Sequence, residues 1–135
     1  MSNISKIIKS SGILNNFNFQ AFLVDVEVAN LDPDDDRKAL VKIFSWNNNI
    51  PTLLPVLSFN GPNLTEGNGG AITIKESTTC SFVAFTTGVF AYEVRVTLFN
   101  TSENVVVTSQ GIELSGNNVV GQTVLDKDFK TVDLD

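Results

Sequence analysis

Four aspartates crowd into residues 32–36 (DPDDD) of a 135-residue chain in which only 18% of residues are charged. Asp32, Asp34 and Asp36 alternate, as the first three ligands of an EF-hand calcium loop do. The rest of that pattern is missing. Arg37 takes the place of the sharp-turn glycine, Ile43 that of the bidentate glutamate, and Arg37 with Lys38 would repel a cation. Asp-Pro-Asp is also turn chemistry, because Pro33 fixes φ and an aspartate carboxylate bonds the backbone two residues on. The reading is a turn between two strands. Asp32, Asp34 and Asp36 stay as weak metal candidates, and no cofactor is expected.

Little other chemistry is on offer. There is no His, which removes the usual base near neutral pH and the commonest zinc ligand. Cys80 is the only cysteine, so an intrachain disulfide and a Cys-based zinc site are both excluded. Ser-His-Asp hydrolysis is excluded with them. A carboxylate pair can hydrolyse a glycoside, but it needs a cleft, and no spacing here points to one. A non-enzymatic chain is therefore expected. Cys80 opens an alternating stretch with Phe82 and Ala84, the setting of a packed thiol, with an intermolecular disulfide as the alternative. Trp46 and Phe44 are the candidate sugar-stacking surface, to which Tyr92 could also belong, although aromatics in alternating strands are more often core.

The totals narrow the partners. A net charge of −6 speaks against nucleic acid and against anionic lipid. No apolar run reaches the 18 residues of a membrane span, and the first nineteen residues lack the apolar core of a secretory signal. Hydrophobic residues make up 42%, with ten Phe beside one Trp and one Tyr, which suits a buried core without disulfides.

The elements that must hold these residues read as strands. Val24, Val26 and Val28 alternate with Asp25 and Glu27. Residues 17–21 alternate on the opposite phase, which predicts a bulge or break near 20–22. Residues 39–46 (ALVKIFSW) are apolar on both sides, so the strand either lies between two packed layers or carries an outer ridge of Leu40, Phe44 and Trp46. Pro51 and Pro55 make 52–59 an edge strand or loop, and residues 60–70 a long glycine-rich connection. In 90–98, Phe90, Tyr92, Val94, Val96 and Leu98 are expected inward, and Glu93, Arg95 and Thr97 outward. Residues 105–114 and 119–125 are further strands. The fold class is all-β: an antiparallel β-sandwich of seven to nine strands, immunoglobulin-like or jelly-roll, over residues 17–135. Residues 1–16 precede it, with Ile4, Ile7, Ile8, Ile13 and Leu14 among polar neighbours. They are either a frayed tail or amphipathic helix on the sandwich, or an arm that gives a strand to a neighbouring subunit.

Residues 26–31 (VEVANL), 39–46, 92–97 (YEVRVT) and 105–112 (VVVTSQGI) together resemble small β-proteins of the spore surface in spore-forming Firmicutes, of the endospore-appendage and exosporium type. The resemblance spans about residues 22–118 in strand order and turn placement. It implies a non-enzymatic, self-assembling subunit of a fibre or surface layer, made without a secretory signal. It also implies homo-oligomers, or other surface-layer proteins as partners, joined by an N-terminal connector that completes a neighbour's sheet. Such connectors usually carry cysteines, and residues 1–16 have none, so joining would be non-covalent, with Cys80 the lone exception.

Overall fold

The structure, a computed structural model, describes residues 5–60, 63–66 and 70–134. Its strands run in chain order β1 (Lys6–Asn15), β2 (Leu23–Asn30), β3 (Arg37–Ser45), β4 (Thr52–Leu53), β5 (Leu57–Asn60), β6 (Asn63–Glu66), β7 (Ile72–Ile74), β8 (Thr78–Phe85), β9 (Ala91–Phe99), β10 (Val105–Ile112) and β11 (Lys130–Val132). They form two antiparallel sheets, a six-stranded one ordered β11-β1-β9-β3-β4, with β7 also on β3, and a five-stranded one ordered β10-β2-β8-β5-β6. The fold is an all-β sandwich. The pairings of β1 with β9, β2 with β8, β3 with β7 and β5 with β6 nest one inside the next. That winding is the jelly-roll order, to which β10 and β11 add one strand each.

β-Branched alternation makes these strands. Val24, Val26 and Val28 of β2 face Val41, Ile43, Val94 and Val96 of the other sheet, each 2% exposed or less. Each such side chain contributes about 1.5–3 kcal/mol of hydrophobic stabilisation. The opposite residues of the same strands form the two outer faces. Leu40 and Phe44 lie on the outer face of β3, half-buried, where the sequence placed its ridge.

Several expectations are corrected. The sandwich does not begin at residue 17. Residues 6–15 form β1, inside the six-stranded sheet between β9 and β11 of the same chain. Ile7 lies opposite Leu98, Leu14 packs on the core, and Ile8 and Ile13 lie on the outer face, while Ile4 is outside the described residues. β1 escaped the period-two reading because a bulge between Ser10 and Ile13 reverses its phase. Residues Phe17–Phe19 are a 3₁₀ turn rather than a strand, with Asn18 and Phe19 at φ 56° and 54°. Residues 119–125 make only an isolated bridge, Val124 with Ser109, and lie along the outer edge of β10. The connection expected over 60–70 contains β6, paired with β5. Phe90, expected inward, precedes β9 and is 62% exposed, because the chain there is still turning. Eleven strands are present among the described residues, against seven to nine expected: β1 and β6 are additional, and the edge segment expected over 52–59 divides into β4 and β5.

Candidate functional site

β1 occupies the position with the clearest functional meaning. It is the first strand among the described residues, yet it fills an interior slot, paired to β9 from Lys6 opposite Phe99 to Asn15 opposite Ala91 and to β11 on its other side. Its exit is clasped. Asn16 is buried, its Nδ2 donates to the carbonyls of Val89 (3.0 Å) and Ala21 (3.3 Å), and its Oδ1 accepts the Ala21 amide (2.9 Å). Gln122 Nε2 donates to the same Oδ1 (3.1 Å), and Tyr92 Oη donates to Gln122 Oε1 (2.9 Å). Burial pushes the Tyr92 hydroxyl well above its usual pKa, so it remains a donor. Beyond the clasp, Phe19 holds a left-handed backbone that costs a side-chain-bearing residue about 1–2 kcal/mol. Its ring lies 4.8 Å from that of Phe90. With Asn15, Asn16, Phe17 and Asn18 these two rings line an open depression of about 430 Å³.

On the outer face of the six-stranded sheet, Glu93 gathers three donors. Ser10 Oγ (2.6 Å) and Arg95 Nε (2.9 Å) donate to its Oε2, and Trp46 Nε1 (2.9 Å) to its Oε1. Burial raises the pKa of this carboxyl, but the bonds from Arg95, Ser10 and Trp46 and the Arg95 charge outweigh it and hold Glu93 below its ordinary range. Arg95 lies 4.4 Å from the centre of the Phe44 ring. The Trp46 N–H and one face of Phe44 are thus already engaged, and Tyr92 is fully buried on the opposite side of β9.

The acidic turn is held from within. Asp32 Oδ1 accepts the amides of Asp34 and Asp35 (both 2.9 Å), and its Oδ2 accepts Arg37 Nη2 (2.8 Å) and Asn104 Nδ2 (3.3 Å). These bonds, led by the Asp34 amide, hold the Asp32 pKa below its usual value. Asp36 Oδ1 accepts the Glu76 amide (3.1 Å). No group of three or more metal-capable side chains is present among the described residues. Cys80 faces the core at 1% exposure, and its thiol donates to the Phe59 carbonyl (3.0 Å). Burial, with the charge of Glu27, raises its pKa to about 11. The thiol is packed in the core, the setting expected for it from the alternation with Phe82 and Ala84.

No family model, curated protein or solved structure matches this chain. Its functional reading rests on its own residues. Asn16, Gln122 and Glu93 escaped the sequence reading, since a polar residue reveals its burial only when its cross-strand neighbours are known. Asp25 is a further one. On the outer face of the five-stranded sheet its pKa rises to about 7, through burial and then the neighbouring Glu27. One of its carboxyl oxygens is buried without a hydrogen-bond partner.

Proposed function

We propose that this chain is a non-enzymatic structural subunit that joins copies of itself, its N-terminal strand able to fill the β9 slot of a neighbour as it fills its own. The observation that carries this reading is the place of β1. β1 lies inside its sheet between β9 and β11, and its departure would open β9 along its length. An unpaired strand edge is a template for an equivalent strand. The strained 3₁₀ turn after β1 is the kind of hinge from which exchange proceeds. On the chemical side, the hydrogen-bonding groups of Glu93, Asp32 and Asn16 are committed to the fold itself. A fibre or spore-surface layer is the setting that the sequence resemblance suggests, and that setting rests on the resemblance alone.

The test uses a chain lacking residues 1–16, alone and with a synthetic peptide of those residues, beside the intact chain. The truncated chain is expected to lose cooperative folding and to regain its strand circular dichroism with the peptide. The intact chain is expected to form larger species by light scattering and electron microscopy. A peptide that restores nothing, beside an intact chain that stays monomeric, would sink the proposal.

A further inference from the structure

The two outer faces of the sandwich carry opposite charge. β2, β5, β8 and β10 contain no Lys or Arg at all. Asp25 and Glu27 lie side by side on the outer face of β2, among Leu23, Val83, Phe85 and Ile112. Nothing cationic meets Asp25 within the sheet. β10 sets Gln110 opposite it, β8 sets Val83, and the next outward residue on β2 is Glu27. The six-stranded sheet is the reverse. Register places Lys6, Lys38, Lys42 and Lys130 on its outer face with Arg95, whose charge Glu93 already neutralises. Ile8, Phe44, Arg95, Lys42, Thr97 and Leu134 line a shallow depression of about 210 Å³ there.

We propose that the lysine-bearing face of one copy docks on the Asp25–Glu27 face of the next, building an open head-to-tail stack of sandwiches. Like faces would set lysine against lysine or carboxylate against carboxylate, so a two-fold dimer through either face is opposed by its own charge. A contact between two different patches does not close on itself, and repeats into a filament. Both faces carry apolar side chains between their charges, which supply the burial that such a contact needs. Lysines brought against Asp25 favour its charged form. Association therefore releases a proton and tightens as pH rises through the range in which free Asp25 titrates.

The stack rests on the reading of this chain as a self-associating subunit, but it uses faces where strand exchange uses the β9 slot. The experiment is sedimentation velocity on the intact chain, on D25K/E27K, on K38E/K42E and on an equal mixture of the two variants, each checked for folding by circular dichroism. The intact chain is expected to associate, more weakly at about 0.5 M than at about 0.05 M salt. It should also associate more tightly at about pH 8 than at about pH 6. Each variant alone is expected to associate at least about tenfold more weakly, and the mixture to recover, since the reversed faces again complement one another. Variants that associate as the intact chain does would overturn the stack and leave self-association standing. An intact chain that is monomeric at low salt would overturn both. Folded variants that weaken association without recovery on mixing would overturn the face pairing.

Discussion

Glu93 lies on the outward side of β9, where the alternation places it, yet it is only 6% exposed. Sequence periodicity assigns a face; it says nothing of what else stands on that face. Ser10 arrives there from β1 and Trp46 from the end of β3, and together with Arg95 they cover the carboxylate. Glu93→Gln keeps the size but loses the charge, and turns an acceptor of three bonds into a group that must also donate. A loss of about 1–3 kcal/mol is expected at neutral pH, measured by urea denaturation. The native pKa is depressed, so the charge stabilises the fold above the ordinary glutamate range and ceases to do so as pH falls through the native value. The gap between wild type and variant should therefore narrow on acidification. A gap that widens in acid would mean that the carboxylate is not the favoured form.

Strands with steady alternation were legible from the sequence, as β2, β9 and β10 show, because each keeps one face in the core along its length. β1 was not, since Lys6, Lys9, Ser10 and Ser11 thin its apolar signal and the bulge then reverses its phase. The acidic turn was legible as a turn, because its chemistry is local: Asp32 caps the amides two and three residues on. Residues 119–125, expected as a strand, form with their flanking residues an edge cover instead. They cover the edge of β10 through separate bonds, with Val124 and Ser109 exchanging amide bonds, Gly111 donating to Gln122 and Val107 to the Asp126 carboxylate. That cover protects an edge strand that would otherwise be free to pair. Gly111 is the position where it comes closest, since a Cβ there would lie 2.1 Å from Gln122 Oε1. Gly111→Ala must push Gln122 aside and break its bonds to Tyr92 and Asn16. We expect a loss of about 1–3 kcal/mol. Amide exchange should also quicken in β10 and in residues 16–21 together, because one side chain links them. Faster exchange in β10 alone would disprove that link.

At the scale of the whole molecule, β1 and β11 join the two ends of the chain. Ile8 lies opposite Val132 in antiparallel register, so the backbone before Lys6 and the backbone after Val132 leave the sheet on the same side. A short flexible linker can therefore connect residue 134 to residue 5, and new ends can be opened at the exposed turn holding Gly116. Opening there gives up only local bonds such as that from the Gly116 amide to the Glu113 carbonyl. The permuted chain keeps every strand pairing, but β1 is now tethered at both ends, to β11 on one side and to the clasp at Asn16 on the other. A strand held at both ends is far less free to cross to a neighbour, while the charged faces of the sandwich are untouched. The permutant should match the wild-type circular dichroism within about 1 kcal/mol of stability. It should also lose whatever assembly survives high salt and keep whatever assembly salt dissolves. Salt-resistant association that persists in the permutant would mean that subunits meet through a surface other than the β9 slot, whatever holds them together.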